Sequence, residues 1–252
     1  MVRQHVVHRL PQPGAMSQLA AGLLEIISRS RHILLDFDGP ICSIYAGTPA
    51  AAVAGQLRDT LRVAGFTVPD QAASEDDPLE VFRAVATISD DAAITAQHLL
   101  TVFETRAVAT ARPARGSADL IITAYRTGRT VTIVSNNSGA AITAYLADHR
   151  LTDYVRAVIG RDDHDPDLMK PSPYRVRAAV GLLDAEPSEC ALVGDSDTDV
   201  LAGRLAGVEI IGYATRPDKV DSLTHAGADA VTTELAEIST ALRATPSAAL
   251  PN

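Results

Sequence analysis

The stretch Ile33-Leu34-Leu35-Asp36-Phe37-Asp38-Gly39-Pro40 decides how the rest of the sequence is interpreted. Its apolar half is typical of a buried strand, and the strand ends in two carboxylates and a glycine turn. Carboxylates placed so close together at a strand end repel each other and are poorly solvated, which is costly unless a cation or a reaction uses them. In open α/β sheets, ligands bind at the carboxyl ends of the strands. This stretch therefore predicts a functional site.

Composition argues against one class of function. The chain has 252 residues, enough for one large domain or a domain with a smaller insert. Its net charge of −9, its 4% aromatic content and its lack of tryptophan argue against a nucleic-acid partner, which requires basic surface and aromatic rings for stacking. An acidic protein can nevertheless bind an anionic phosphate where a metal ion reverses the local field.

Cysteine content and the lack of long apolar segments predict where the protein resides. Cys42 and Cys190 are far apart and lack the spacing of a metal site, which favours a reduced, intracellular protein. No stretch approaches the length of a membrane span, and the first residues lack the apolar region of a signal peptide. We therefore expect a cytoplasmic protein without a membrane partner.

The first half of the chain is predicted to be mostly helical. Residues 1–16 are expected to form a flexible arm, followed by an amphipathic helix over 17–30 and the first strand over 33–37. Between residues 47 and 111 we predict three helices with no strand between them. Thr48-Pro49 and Asp77-Pro78 are start signals for the first two, and the third is predicted over 90–110. This region is typical of an all-α insert.

After Pro113, predicted strands alternate with predicted helices. Each strand is apolar throughout, which indicates an α/β protein with a parallel sheet covered on both faces. Ser117 is expected to cap the first of these helices. The strands are predicted at 131–134, 155–159, 191–193, 208–211 and 230–231, and the helices at 117–128, 139–148, 173–183, 197–206, 218–225 and 233–243.

Three further polar clusters lie at or beside the ends of predicted strands. They are Ser135-Asn136-Asn137, Lys170-Pro171 and Gly194-Asp195-Ser196-Asp197-Thr198-Asp199. Because parallel strands share one direction, their carboxyl ends face the same edge of the sheet. We therefore expect these side chains to converge on Asp36 and Asp38, although they are far apart in the sequence.

In their order and spacing, the four clusters resemble the motifs of the haloacid dehalogenase superfamily, and more closely those of its phosphoglycolate-phosphatase-like phosphatases. The resemblance covers residues from about 31 to 212. It implies a Rossmann-like, three-layer α/β core with a small all-α cap domain inserted after the first motif. The expected division is 1–30 for the arm and first helix, 31–46 and 112–243 for the core, 47–111 for the cap and 244–252 for a flexible tail.

The resemblance also implies the reaction, which is hydrolysis of a small phosphate monoester, phosphoglycolate-like or a sugar phosphate, through an aspartyl-phosphate. Asp36 would be the nucleophile, and Asp38 would protonate the leaving oxygen and later take a proton from water. Lys170 would neutralise the developing negative charge. Ser135, with Gly39, Asn136 and Lys170, would bind the phosphate.

A magnesium ion is the cofactor that this resemblance implies. Its ligands would be the Asp36 carboxylate, the Asp38 backbone carbonyl and Asp195, with Ser196 and Asp199 in supporting positions. Asp199 is expected to orient Lys170 or the groups around the metal rather than to bind the ion directly.

Several relatives with other chemistries remain alternatives. The dehalogenases of the superfamily lack the second aspartate, so Asp38 favours phosphoryl transfer. No lysine precedes Lys170, which excludes a Schiff base formed by a cap lysine. A phosphosugar mutase is disfavoured because no histidine lies between Gly39 and His98. A catalytically silent relative that binds a phosphorylated ligand is the remaining alternative.

The sequence leaves the groups that select the substrate open. Pro40 stands where many relatives have threonine, and proline removes an N–H from the turn. Cys42 is expected to have a structural role near the site. His98 of the cap could reach a substrate. Candidates for one anion contact from the cap are the arginines Arg58, Arg62, Arg83 and Arg106.

Overall fold

The computed structural model of the protein describes residues 22–247. Its first helix, α1, covers residues 22–29 of this range. The predicted arm at 1–16, the predicted start of α1 at residue 17 and the last residues, 248–252, lie outside the described residues. No helix among residues 22–247 is long and apolar enough to cross a membrane.

Six parallel strands form the central sheet. In chain order they are β1 (His32–Leu35), β4 (Thr130–Val134), β5 (Ala157–Ile159), β6 (Cys190–Gly194), β7 (Glu209–Tyr213) and β8 (Ala230–Thr232). Their spatial order is β5-β4-β1-β6-β7-β8. The first strand is therefore central, with Leu35 opposite Ile133 of β4 and Val193 of β6.

Helices cover both faces of this sheet. They are α5 (Ser117–Arg126), α6 (Gly139–Asp148), α7 (Tyr174–Leu182), α8 (Asp197–Ala206), α9 (Asp218–Ala226) and α10 (Leu235–Ala244). Successive strand residues point to opposite faces. Ile33 and Leu35 join the core beneath α1, α5, α6 and α10, and Leu34 joins the core beneath α7 and α8. These layers confirm the predicted α/β fold with a parallel sheet covered on both faces.

Between β1 and β4 the chain leaves the sheet to form a helical insert. The insert consists of α2 (Ala50–Val63), α3 (Pro78–Ala86) and α4 (Asp90–Ala107), which pack around their own apolar core. Two short antiparallel strands that the sequence did not predict, β2 (Cys42–Ser43) and β3 (Arg112–Pro113), pair where the chain enters and leaves it. The division into cap and core domains remains a prediction.

Two predicted helix caps differ from the structure. The residue before α2 is Pro49, with no side-chain cap bond, so Thr48 does not cap this helix. Ser117 is the first residue of α5 and is buried, and the flanking Gly116 adopts a left-handed φ of 88°. Asp77 does cap α3 as predicted, because its side chain accepts a hydrogen bond from the Leu79 N–H at 2.8 Å. Local signals of this kind identify helix starts only to within a residue or two.

Strand ends and the chain end also differ from the sequence prediction. Val155 and Val208 precede their strands, and β7 continues to Tyr213. Residue 244, the predicted start of a flexible tail, belongs to α10. The Thr245 carbonyl accepts a hydrogen bond from buried Arg129, and the Ser247 N–H donates to the Thr127 carbonyl at 2.9 Å. These contacts bind residues 244–247 to the core.

Candidate active site

The predicted site residues converge at the carboxyl edge of the sheet. Asp36 directly follows β1, Ser135 follows β4 and Asp195 follows β6. The strand β1 lies between β4 and β6. After β1 the chain first adds β4 and β5 on one side of it, and then β6, β7 and β8 on the other side. Such a reversal of strand order opens a crevice at the strand ends, which is where ligands bind in this architecture.

A buried lysine bridges two of the carboxylates. The Lys170 ammonium donates to Asp36 Oδ1 at 2.7 Å, to Asp199 Oδ1 and to the Val134 carbonyl at 3.2 Å. Only 3% of the Lys170 side chain is exposed. A buried ammonium is stable only when it is paired, and here two carboxylates supply the countercharge. Lys170 therefore holds Asp36 in a fixed orientation.

The pKa values of these groups reflect burial first and charge second. Burial raises the pKa of Asp36 to about 7, the charge of Lys170 opposes this rise, and Asp199 adds to it. Burial alone would lower the pKa of Lys170, but the charges of Asp199 and Asp36 outweigh it and hold the pKa above its ordinary value. Lys170 therefore stays a cation at neutral pH.

Asp38 has an environment of its own. Its Oδ1 accepts a hydrogen bond from the Ile44 N–H at 2.9 Å, which fixes the carboxyl group over the turn. Burial raises the pKa of Asp38 to about 6; this hydrogen bond opposes the rise, and the charge of Asp195 adds to it. Two carboxyl groups that lie two residues apart thus differ in their partners, because only Asp36 pairs with Lys170. Different environments suit different roles in acid–base chemistry.

The segment after β4 shapes the floor of the site. Ser135 is buried, and its hydroxyl accepts a hydrogen bond from the Asn137 N–H at 3.3 Å. The Asn136 side chain accepts from the Lys170 N–H at 2.7 Å and donates to the Lys170 carbonyl at 3.2 Å. The amide predicted to bind substrate is therefore engaged with the backbone of Lys170. Asn136 positions this lysine, although it also lines the cavity described below.

Gly39 and Asp195 approach each other closely. Gly39 has a φ of 116°, and a Cβ atom placed on it would lie 2.5 Å from Asp195 Cγ. Only glycine fits this contact. Asp195 Oδ2 also accepts a hydrogen bond from the Lys219 ammonium at 2.6 Å, and the Asp195 carbonyl accepts from the same ammonium at 2.7 Å. Lys219 was not among the predicted site residues, although it is one of only two lysines in the sequence.

Asp199 and Ser196 form the start of α8. The Ser196 side chain accepts from the Asp199 N–H, and Asp199 Oδ2 accepts from the Ser196 N–H at 3.1 Å and from the Ser196 hydroxyl. The other oxygen of Asp199 accepts from Lys170. Both carboxylate oxygens of Asp199 are therefore occupied, an arrangement that suits the predicted supporting position.

Carboxylate oxygens in the site suit a divalent cation. Asp36, Asp195 and Asp199 each offer one oxygen, and these oxygens lie within 4.8 Å of one another. Hard oxygen donors are the ligands that Mg²⁺ prefers. Both oxygens of Asp199 are engaged with Lys170 and Ser196, whereas Asp36 and Asp195 each have one oxygen paired with a lysine and one oxygen left for an ion. Among residues 22–247, no hydrogen bond ends on the Asp38 backbone carbonyl, so it remains available as a third ligand. The residues present therefore fit the expected ion.

We expect Mg²⁺ to stabilise the folded protein more at about pH 8 than at about pH 5, because protons compete with the cation for Asp36. Without metal, the raised pKa values of Asp36 and Asp38, about 7 and about 6, mean that the folded state binds more protons than the unfolded state between about pH 4 and pH 7. Metal-free stability should therefore fall as pH rises through this window. Mg²⁺ at about 100 times its Kd should add about 2.7 kcal/mol.

Calorimetric melting with Mg²⁺ or with a chelator at both pH values checks this prediction. Asp195→Asn is the matched variant and should lose most of the Mg²⁺-dependent shift in Tm. An equal shift at both pH values would contradict the assignment of these carboxylates to the cation.

A cavity of about 530 Å³ lies between the strand ends and the helical insert. Its floor includes Asp36, Asp38, Ser135, Lys170 and Asp195, and its opposite wall comes from Tyr45 and from the segment before α3. The predicted site residues Asn136 and Ser196 also line it. The sequence did not identify this opposite wall, because it follows from how the insert packs on the core.

The basic residues proposed as anion contacts lie outside the lining of this cavity. Arg58 donates to the carbonyls of Ala72 and Glu75, and Arg62 pairs with Asp59. His98 and Arg106 are exposed on α4. Arg83 donates to the Pro166 carbonyl at 3.1 Å and to the Lys170 carbonyl at 3.0 Å, so it connects the insert to the loop that carries the lysine.

A buried ion pair that was not predicted from the sequence joins the insert to the core. Glu104 of α4 accepts hydrogen bonds from Arg161 at 2.8 Å, from the Ser138 N–H at 2.9 Å and from the Asn137 amide at 3.1 Å. Both Glu104 and Arg161 have 0% of their side chains exposed. The sequence feature that could have indicated this ion pair is Glu104 itself, a single carboxylate on the apolar face of a predicted helix, beside Leu100 and Ala107.

Comparison with known proteins agrees with this geometry. The family described as haloacid dehalogenase-like hydrolase matches residues 31–207, and the chain belongs to this family. A structure of a predicted phosphatase from Clostridium acetobutylicum is similar over 85% of this chain and 99% of that one, with a TM-score of 0.65 and 17% identity. The resemblance stated from the four motifs is confirmed, and so is the fold that it implied.

Curated relatives match over shorter segments. The chain is 36% identical to a phosphoglycolate phosphatase from Cupriavidus necator over 93 residues, which are 35% of this chain and 39% of the relative. It is 31% identical to pyrophosphatase PpaX from Anoxybacillus flavithermus over 96 residues, which are 38% of this chain and 44% of the relative. The matches thus span less than half of each relative, and the family membership identifies the chain as a hydrolase.

Proposed function

We propose that this protein is a Mg²⁺-dependent phosphatase that hydrolyses a small phosphate monoester through an aspartyl-phosphate intermediate. The observation that supports this proposal best is the placement of Asp36 at the floor of the cavity, held by Lys170 and accompanied by Asp38. A nucleophilic carboxylate, a fixed cation and a separate acid–base group are the parts that two-step phosphoryl transfer requires. The names of the curated relatives agree with this class.

In the proposed first step, a lone pair of the Asp36 carboxylate attacks phosphorus and the bond between phosphorus and the alcohol oxygen breaks. Asp38 gives its proton to the leaving alcohol. In the second step, Asp38 takes a proton from water, and the resulting hydroxide attacks phosphorus, releasing inorganic phosphate and the Asp36 carboxylate. The pKa of Asp38, about 6, lies close enough to neutrality for both proton transfers.

Lys170 and Ser135 are proposed to serve the phosphoryl group itself. Lys170 remains charged and compensates the negative charge that develops beside Asp36. Ser135 lines the cavity and is held by Asn137, so its hydroxyl and the neighbouring backbone would bind phosphate oxygens. When bound, Mg²⁺ would be held by Asp36, Asp195 and the Asp38 carbonyl and would supply Lewis-acid stabilisation of charge on the phosphate.

Steady-state hydrolysis of p-nitrophenyl phosphate and of a panel of phosphorylated metabolites tests the proposal. We expect phosphate release with Mg²⁺, loss of that release with a chelator and recovery when Mg²⁺ is restored. We also expect no chloride release from short 2-chloroalkanoates. If no ester in a broad panel is hydrolysed, the enzyme proposal fails and the silent, ligand-binding alternative replaces it.

The mutase alternative gains no support from the described residues. His98, the histidine that follows the first motif in the sequence, is exposed and does not line the cavity. A small phosphorylated metabolite remains the proposed ligand, with phosphoglycolate-like and sugar phosphates as the two classes expected from the sequence. The cytoplasmic location also remains a prediction.

A further inference from the structure

The wall of the active-site cavity opposite the phosphate floor carries negative charge. Three consecutive acidic residues of the helical insert, Glu75, Asp76 and Asp77, line the same cavity as Asp36 and Lys170. Lys170 is the only cationic residue among those that line this cavity in the described part of the chain. That lysine is already paired with Asp36 and Asp199. The far wall therefore presents three carboxylates that form no ion pair among residues 22–247, and the side chains of Asp76 and Asp77 are exposed.

Local hydrogen bonds hold this acidic segment in place without neutralising it. Glu75 Oε1 accepts from the backbone N–H groups of Asp76 and Asp77 at 2.9 and 3.0 Å. Asp77 Oδ1 accepts from Leu79 N–H. Within residues 22–247, the Asp76 carboxylate accepts no hydrogen bond and forms no ion pair. Backbone donors carry no full charge, so these hydrogen bonds do not compensate the carboxylates.

The nearest arginines of the insert are committed to other partners. Arg58 donates to the backbone carbonyls of Ala72 and Glu75. Arg83 pairs with Glu80 and donates to two carbonyls of the core loop. Neither arginine lines the cavity. A carboxylate on a bound substrate would therefore find no cation at this wall.

Tyr45 supplies an independent indication that this wall binds a ligand. The residue lines the cavity, and its hydroxyl is shielded from solvent yet has no hydrogen-bond partner among the described residues. Burial, together with the charges of Glu104 and Asp38, holds the pKa of this phenol well above its ordinary value, so the hydroxyl stays neutral and its oxygen lone pairs can accept a hydrogen bond from a cationic group. A buried hydroxyl without a partner is costly and marks a position where a polar ligand group would be accommodated.

We propose that the alcohol part of the substrate carries an ammonium group, which binds between the Glu75–Asp77 segment and Tyr45. This inference rests on the proposed phosphatase function and narrows its substrate to phosphate esters of amino alcohols or amino sugars. Carboxylates attract an ammonium, and an aromatic ring adds a cation–π contact. The same charges disfavour phosphoglycolate, whose carboxylate would face three others.

A matched pair of two-carbon substrates tests the inference. O-Phosphoethanolamine and 2-phosphoglycolate share the phosphate ester of a CH2 group and differ at the second carbon, which carries an ammonium in the first and is a carboxylate in the second. We expect kcat/KM for the amine to exceed that for the acid by roughly tenfold or more, since several partly screened charges act together. Added salt should reduce this ratio, because screening weakens interactions between charges that are exposed to water. Ethyl phosphate, which has no terminal charge, should fall between the two.

Variants that each remove one carboxylate test whether the preference for the amine arises at this wall of the cavity. Asp76→Asn should lower the amine-to-acid ratio several-fold, and the charge reversal Asp76→Lys should lower it further. Asp77→Asn should act in the same direction, because asparagine still caps α3 and the helix start is preserved. The matched control is Asp59→Asn, which removes the same charge from an exposed position of the insert, 78% exposed, outside the cavity. It should leave the ratio unchanged.

The outcomes separate this inference from the function on which it rests. Suppose that p-nitrophenyl phosphate is hydrolysed, but that kcat/KM for phosphoglycolate or ethyl phosphate equals or exceeds that for phosphoethanolamine. The ammonium inference is then wrong, and the phosphatase function stands. If Asp59→Asn lowers the ratio as much as Asp76→Asn does, net charge rather than the cavity wall is responsible, and the inference is again wrong. If no phosphate ester is hydrolysed, the phosphatase function itself fails.

Discussion

Replacing Asp36 by asparagine is expected to lower phosphate-ester hydrolysis by roughly 10³-fold or more, as removal of a nucleophile does in other covalent enzymes. The amide has nearly the same shape but is too weak a nucleophile to form the acyl-phosphate. The fold should survive, because Lys170 keeps Asp199 as its partner and burial already disfavours the Asp36 charge. Steady-state kinetics with p-nitrophenyl phosphate, together with thermal unfolding, measure both effects.

Asp38→Asn provides the comparison that separates the two carboxylates. Its defect should be smaller for esters with acidic leaving groups such as p-nitrophenol, which need little protonation, than for alkyl phosphates. The defect of Asp36→Asn should be the same for both kinds of ester. If the Asp36→Asn variant retains substantial turnover, Asp36 is not the nucleophile, whatever the result for Asp38→Asn.

Replacing Glu104 by glutamine is expected to lower the free energy of unfolding by about 3–5 kcal/mol, the usual cost of leaving a buried charge unpaired. The side chain keeps its size, so no cavity forms. The loss is instead electrostatic, because the Arg161 guanidinium is fully buried and Glu104 is its only ion-pair partner among residues 22–247. Urea denaturation of the two proteins at neutral pH gives the difference directly.

Two further variants show whether the ion pair itself is responsible. The double replacement Glu104→Leu with Arg161→Met should recover part of the lost stability, because it removes both buried charges but leaves the Ser138 N–H and the Asn137 amide without the carboxylate to which they donate. Glu25→Gln removes one partner of the exposed pair that Glu25 forms with Arg29 and should change stability by less than about 1 kcal/mol. A loss below about 1 kcal/mol for Glu104→Gln would contradict the assignment of Glu104 as the partner that stabilises Arg161.

Glu104 also bears on the active site. Its carboxylate binds the Ser138 N–H and the Asn137 amide, and Asn137 in turn contacts the Ser135 hydroxyl. The helical insert is thereby connected to the segment that is proposed to hold the phosphate. A change at Glu104 should consequently affect activity as well as stability, even though this residue does not line the cavity.

The convergence of the site residues was predictable for a simple physical reason. Apolar strands that alternate with helices form a parallel sheet, and a parallel sheet presents all its carboxyl ends at one edge. Asp36, Ser135 and Asp195 each follow a strand directly, so their approach follows from topology alone. The roles of these residues in catalysis stay predictions.

Particular contacts were less predictable. Asn136 has the composition of a substrate ligand, yet its amide holds the backbone of Lys170. Thr48 has the chemistry of a helix cap, yet α2 begins at Ala50 without its help. Lys219 lies 24 residues from Asp195 in the chain but pairs with it in the structure. In each case the sequence names a capable group, and competing partners nearby in space determine which contact forms.

The apolar run that ends in Asp36 and Asp38, with the later strand-end clusters, thus determined the α/β fold, the edge at which a site forms and the kinds of groups available there. Tertiary structure alone decided which carboxylate pairs with Lys170, which pairs with Lys219, and how Glu104 and Arg161 join insert and core. It also placed the Glu75–Asp77 segment opposite the phosphate floor. The reason is physical: periodicity fixes the direction and face of each element, but ion pairs depend on packing distances of a few ångströms between segments distant in sequence.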